Sequence, residues 1–247
     1  GFLGAGQKYA AEAYASGERN KEIKILGFTI AILLLAIFPF SSLMIFSFYK
    51  PSIFLSDLSF RGFEVAGSLF LILGLLFPLQ IFLQRLAQSI LIIRVKDYIS
   101  LRVDVIANMV KILSVFYFFN NNNYMIVEYF LFATSITILS YVFILHKIKL
   151  IENYDFVLLL KSIRLGKTEY KLTKKLAFSS FALTLGWLIY YELDLIIIGK
   201  IFGVREVAIY AIGFTFLNFL RSLWNSVFSP FAQRFNHFIA EKSYNKI

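Results

Sequence analysis

Residues 25–49 contain no charged side chain, and neither do residues 65–83. A helix needs about 20 mostly apolar residues to cross the hydrocarbon core of a bilayer. A helix on the surface of a soluble protein keeps one polar face instead, so charged residues recur along it. These two runs therefore predict helices that cross a membrane, and they exclude most folds of water-soluble proteins.

The composition of the whole chain agrees with this prediction. It is 59% hydrophobic and 16% charged, with a mean hydropathy of +0.72, whereas soluble domains are about 45–50% apolar and about 25% charged. The runs are continuous and do not alternate as β-barrel strands do, so we expect an all-α integral membrane protein. We also expect a piece of a longer protein, in which residues 1–24 end an earlier span. The six predicted spans are 25–49, 65–83, 101–119, 124–145, 176–198 and 207–228. The helical pattern of the second span continues to about Tyr98.

Basic residues alternate between rich and poor connecting segments. Nineteen of the 25 Lys and Arg residues lie in four segments: 1–24, 84–104, 146–175 and the stretch after residue 228. Lysine and arginine favour the cytoplasmic side of a membrane protein, so we predict these segments to be cytoplasmic. Topology thus explains the net charge of +10, and the sequence gives no reason to expect nucleic-acid binding.

The segment 147–175 has a pattern of its own. It is basic and amphipathic, with Asn153 as a candidate helix start and Gly166 as a candidate helix stop. These features predict a cytoplasmic interfacial helix that links two bundles.

Polar residues recur at helical spacing inside the predicted spans, so each set lies on one helix face. The sets are Gln80, Gln84 and Gln88; Asp104, Asn108 and Lys111; Trp187, Tyr191 and Asp194; and Asn218, Arg221 and Asn225. They line a hydrated cavity, or they bond neighbouring helices to each other. For the amides both interpretations stay open. For Arg221, Lys111 and Asp194 we favour the cavity, because a full charge in a membrane needs more compensation than an amide.

Motifs for catalysis or metal binding are absent from the sequence. It has no cysteine, no HExxH and no glycine-rich phosphate loop after a strand. Glu192 and Asp194 point to nearly opposite helix faces, which argues against a glycosidase-like carboxylate pair. We therefore predict no enzyme activity, no catalytic residue, no metal and no cofactor.

One stretch resembles a known family. It combines Asp194, an apolar run, Gly199, Gly203 and then Tyr210-Ala211 at the opening of the next helix. This pattern resembles the start of the second bundle in Wzx-type polysaccharide flippases, which export O-antigen and capsule precursors and belong to the superfamily of multidrug and oligosaccharidyl-lipid exporters. The segments Gln7-Lys8-Tyr9 and Gly17-Glu18 also look like the basic end of that family's second helix. Ala208 departs from the pattern, which commonly has glycine there.

The resemblance implies a MATE-like transporter fold with two six-helix bundles around a central cavity. Residues 1–146 would then hold the end of helix 2 and helices 3–6, residues 147–175 the linker, and residues 176–247 helices 7 and 8. The implied activity is flipping an undecaprenyl-diphosphate-linked oligosaccharide across the bacterial plasma membrane for surface polysaccharide synthesis. Arg221 and Lys111 would meet the diphosphate or acidic sugars, and Asp194 would act as a counter-charge or couple transport to H⁺ or Na⁺.

The same resemblance implies the lipid bilayer and other polysaccharide-assembly membrane proteins as partners. A cation-coupled multidrug antiporter of the same fold is the nearest alternative. An integral membrane polysaccharide polymerase or ligase fits less well, because the predicted external segments 50–64, 120–123 and 199–206 are short. A membrane scaffold without transport also remains open.

Overall fold

The computed structural model describes residues 1–50, 60–120, 125–201 and 204–240. Within these ranges the chain forms eight α-helices and no strand. The all-α fold predicted from the sequence is therefore confirmed. The helices are α1 (Phe2–Ala15), α2 (Arg19–Tyr49), α3 (Phe60–Ile93), α4 (Tyr98–Phe118), α5 (Ile126–Glu152), α6 (Phe156–Lys161), α7 (Lys167–Ile201) and α8 (Val204–Ala240).

Three of these helices, α2, α3 and α5, are long and apolar enough to cross a membrane. In their most apolar 18-residue windows only 22%, 22% and 17% of the residues are buried inside the protein. Their exposed apolar surface would be costly in water and suits lipid. The chain is thus a membrane protein by the length and composition of its helices.

The predicted count of six spans is not reached within the described residues. Every 18-residue window of α4 contains Arg102, Asp104 and Lys111, so this helix carries too many charges to qualify by composition. The predicted spans 176–198 and 207–228 lie inside α7 and α8. Whether those two helices cross the membrane stays a prediction.

The chain divides into two compact units. The first contains residues 1–29 and 165–247, and the second contains residues 30–164. In the first unit α1 packs against α7 and α8, and in the second α5 packs against α3 and α4. The bundle and linker boundaries predicted from the sequence stay predictions.

Small residues allow α1 to pack closely in the first unit. Its buried positions are all alanine or glycine: Ala5, Gly6, Ala10, Ala11 and Ala13. Residues without bulk let helix backbones approach one another, as is typical of membrane helices. At the start of α1, Phe2 packs against the rings of Phe28 and Phe178 at centroid distances of 6.3 and 5.8 Å.

Gly6 of α1 lies very close to a neighbouring side chain, and this contact supports a prediction. A Cβ at Gly6 would lie 2.0 Å from Oγ1 of Thr29, which is buried and donates to the Ile25 carbonyl at 2.8 Å. Gly6→Ala should therefore lower the free energy of unfolding by about 1–3 kcal/mol, measured by titrating the detergent-solubilised protein with SDS.

Gly4→Ala is the matched control for this substitution. It lies in the same helix, and a Cβ there meets nothing within 4 Å. Alanine favours helix over glycine by up to about 1 kcal/mol, so Gly4→Ala should leave stability unchanged or raise it. Equal effects of the two substitutions would contradict a close approach at Gly6.

In the second unit a proline explains a contact between α2 and α3. Pro78 has no backbone N–H, so the carbonyl of Gly74, four residues earlier, loses its usual helical donor. The Ser41 hydroxyl of α2 donates to this carbonyl instead. A side chain at position 74 would also collide with Ile45, since an added Cβ would lie 2.7 Å from its Cγ1. Proline and glycine together therefore fix this crossing.

Two helix ends differ from the sequence prediction. We expected the helical pattern of the second span to continue to about Tyr98, but α3 ends at Ile93. Val95 follows in the left-handed region, with φ of 55°. The Lys96 N–H donates to the Leu91 carbonyl and the Val95 N–H to the Ile92 carbonyl, as in a Schellman C-cap.

The linker also begins differently from the prediction. Asn153, expected to start a helix, ends α5 with φ of 47°. Asn tolerates the left-handed region because its short polar side chain can bond locally. Asp155 is the actual N-cap of α6, and its carboxylate accepts from the Leu158 N–H at 2.8 Å. α6 ends at Lys161, before the predicted stop at Gly166.

Candidate functional site

The first unit contains a cavity of about 540 Å³ between α7 and α8. On α8 the lining residues Tyr210, Phe214 and Arg221 lie on one helix face, because they are four and seven residues apart. On α7 Tyr190 and Asp194 face the same space. Among the side chains that the structure describes, the wall of the cavity is mostly apolar and aromatic and includes the Asp194 carboxylate and the Arg221 guanidinium.

Arg221 is held by an amide and two aromatic rings. Its Nη1 donates to Oδ1 of Asn218 at 3.2 Å. The guanidinium carbon lies 5.3 Å from the ring centroid of Trp187 and 6.0 Å from that of Phe214. Cation–π contacts within about 6 Å are attractive, and more so when the cation is desolvated. The rings and the amide therefore position a guanidinium that helps to line the cavity.

Asp194 lies on α7, seven residues after Trp187 and nearer to the C-terminus of that helix. The Tyr210 hydroxyl donates to Oδ2 of Asp194 at 3.0 Å. Since Asp194 meets Tyr210 and Trp187 meets Arg221, α7 and α8 run antiparallel. The backbones of Tyr210 and Arg221 are eleven residues apart, about 16 Å along the helix axis, and the side chains of both line the same cavity.

The second unit contains a different polar cluster. The Tyr141 hydroxyl of α5 lies 2.9 Å from both carboxylate oxygens of Asp104 on α4 and donates to this group. It accepts in turn from Nε2 of Gln88 on α3 at 3.1 Å. Tyr141 is fully buried. This cluster joins three helices, as expected if polar side chains bond helices together.

Lys111 lies further along α4 and donates to Oδ1 of Asn108 at 3.2 Å. The face predicted for Asp104, Asn108 and Lys111 is thus partly linked by hydrogen bonds. Gln80 is half-buried and Asn225 is exposed. The side chains of Tyr191 and Glu192 lie outside the described residues. As substrate-binding residues, the whole predicted set stays a prediction.

A buried ion pair was not anticipated from the sequence. Nε of Arg94, after the end of α3, lies 3.4 Å from Oε2 of Glu152 at the end of α5, and the two side chains are 1% and 11% exposed. Lys96 also pairs with Glu152. The Arg94 guanidinium lies 4.8 Å from the ring centroid of Tyr154. The C-termini of α3 and α5 therefore lie beside the cations Arg94 and Lys96. The helix dipole favours a positive charge at a C-terminus.

Sequence reasoning missed three tyrosines that contact charged residues: Tyr141 binds Asp104, Tyr154 contacts Arg94, and Tyr210 binds Asp194. Their polar partners were visible as charges in or near apolar runs. The chain contains 14 tyrosines, so this residue type alone could not mark them. Helical spacing offered one usable signal, since Tyr210 lies on the face of Arg221.

No protein-family model, curated protein or solved structure matches the chain. The class of the protein is therefore set by its own features: over the described part of the chain it is an all-helical membrane protein, with three helices long and apolar enough to span a bilayer. The resemblance to polysaccharide flippases rests on the sequence pattern alone and remains a hypothesis.

Proposed function

We propose that the chain belongs to a transporter that flips a lipid-linked oligosaccharide across the bacterial plasma membrane for surface polysaccharide synthesis. The lipid carrier would be undecaprenyl diphosphate. The observation that supports this proposal most is the α7–α8 cavity of about 540 Å³, whose wall combines aromatic rings with the Arg221 guanidinium.

The chemistry of this cavity suits an amphipathic anion. A guanidinium can donate two parallel hydrogen bonds to a phosphate and is the preferred cation for such recognition. Ligand sites are commonly apolar and aromatic with a few placed polar groups, and Tyr190 in the cavity wall offers a flat face for a sugar ring. Asp194, bonded to Tyr210, would act as counter-charge or take part in coupling to H⁺ or Na⁺.

The proposal includes the finer architecture: six spans and a MATE-like two-bundle fold. α4 can cross a bilayer if the face of Asp104, Asn108 and Lys111 turns to a bundle interior, where charged membrane residues usually lie. The remaining predicted lining residues keep their proposed role as polar contacts of the substrate, Gln80 and Gln84 in the second unit and Asn218 and Asn225 in the first.

A cation-coupled multidrug antiporter is the second candidate. The exposed Asp194 carboxylate favours it, because an acidic group among aromatic walls attracts a cationic amphiphile. The two candidates differ in the charge of their substrates, so transport assays can separate them.

The test uses the full-length protein in proteoliposomes. We expect a fluorescent undecaprenyl-diphosphate oligosaccharide to move between leaflets faster than in protein-free vesicles. A cationic dye should not be transported. Dye transport driven by a proton or sodium gradient, without oligosaccharide movement, would establish the antiporter instead. Movement of neither substrate would make the transport proposal wrong.

A further inference from the structure

The short helix α6 is anchored in the second unit by buried side chains. Tyr154, two residues before it, is 3% exposed and lies under the Arg94 guanidinium. Leu159 within the helix is 1% exposed, and Asp155 caps its first turn. One face of α6 is therefore fixed inward, and the segment is a structured element of the protein.

The opposite face of α6 presents apolar side chains to the outside. Val157 and Leu160 are 63% and 64% exposed. They are three residues apart and share one helix face, which Lys161 extends one residue further. The end of α5 adds Leu150 and Ile151, which are also largely exposed. Exposed aliphatic groups on a fixed surface are unfavourable in water and mark a site of contact.

Four exposed basic residues lie in the same stretch of the chain as this apolar face: Lys147, Lys149, Lys161 and Arg164. The acidic residues nearby are already engaged, since Glu152 pairs with Arg94 and Lys96 and Asp155 caps α6. The outward face is therefore apolar and positively charged. This combination is typical of segments that lie in the interface of an anionic bilayer.

The position of α6 along the chain identifies the partner. α5 is apolar enough to cross the membrane and ends at Glu152, and α6 begins at Phe156. A segment so close to the end of a membrane helix lies at the level of the lipid headgroups. We propose that the α6 face formed by Val157, Leu160, Lys161 and Arg164 docks on anionic phospholipids of the adjoining leaflet.

The test uses the absence of cysteine from the chain. Leu160→Cys is introduced into the full-length protein, with any cysteine outside residues 1–247 replaced by serine, and is labelled with an environment-sensitive fluorophore. The labelled protein is reconstituted into vesicles of phosphatidylcholine, with or without phosphatidylglycerol. Brominated acyl chains then report contact with lipid by quenching. We expect strong quenching in the anionic vesicles and clearly weaker quenching in the neutral ones. Ser16→Cys lies at the exposed polar turn after α1, and the charged stretch 18–24 separates it from the apolar run of α2. It is the control and should be quenched much less than position 160 in both kinds of vesicle.

Charge removal separates electrostatic docking from simple insertion. A basic residue near an anionic surface favours binding by about fivefold, so Lys161→Gln and Arg164→Gln together should reduce partitioning of the label by more than tenfold in anionic vesicles. No quenching at position 160 in either vesicle would overturn the proposal and favour a protein partner. Equal quenching in both vesicles, unchanged by the two substitutions, would overturn it as well. The readout needs no transport and is independent of the proposed function.

Discussion

Replacing Glu152 with alanine is expected to lower the free energy of unfolding by about 3–5 kcal/mol. The substitution leaves the Arg94 guanidinium, whose side chain is 1% exposed, without its carboxylate. Removal of one partner of a buried ion pair is costly because the remaining charge has been taken out of water. The loss should appear in an SDS titration of the detergent-solubilised protein followed by far-ultraviolet circular dichroism.

Glu18→Ala is the matched control, since it removes the same side chain from an exposed pair. Lys21 and Glu18 lie 2.8 Å apart, with side chains 56% and 51% exposed. Such pairs contribute about 0–1 kcal/mol. A double variant, Arg94→Met with Glu152→Leu, should be much less damaging than Glu152→Ala, because no buried charge remains. Equal small losses for Glu152→Ala and Glu18→Ala would show that Arg94 has enough other compensation.

The sequence predicted the helices well because their signal is local. Long apolar runs extend over each of α2, α3, α5, α7 and α8, and a run of that length can satisfy its backbone in a membrane only as a helix. The ends were harder to predict. Gly17 occupies the left-handed position after α1, with φ of 76°, and glycine there is a visible signal. Val95 occupies the same kind of position after α3, although a β-branched residue is strongly disfavoured there.

Contacts between helices could not be predicted from the sequence. Helical spacing placed Asp104 on a polar face of α4, but it could not show that Tyr141 of α5 binds its carboxylate. Arg94 and Glu152 lie far apart in the chain, and their pairing depends on how α3 packs against α5. Spacing within one helix is fixed by backbone geometry, whereas pairing between helices depends on packing. Without matching relatives, only the structure supplies it.

Arg221→Ala is expected to reduce oligosaccharide flipping at least tenfold in the proteoliposome assay. A hydrogen bond to a charged group contributes about 1.5–3 kcal/mol, and a diphosphate in the α7–α8 cavity would lose its guanidinium partner. The flipping rate of Arg221→Lys should lie between the rates of Arg221→Ala and the wild type. It keeps the charge but loses the planar donor pair and the contact of the guanidinium with the Trp187 ring.

Arg85→Ala provides the control, because this arginine is exposed on α3 in the other unit and should leave the flipping rate unchanged. Unfolding of each variant is measured alongside transport. If Arg221→Ala lowers the free energy of unfolding together with the flipping rate, the role of the arginine is structural, and it holds α7 against α8 through Trp187. If flipping falls while stability and Arg85→Ala activity remain normal, the guanidinium acts on the substrate. If flipping is unchanged, Arg221 is not part of the site, and the cavity chemistry proposed for it is wrong.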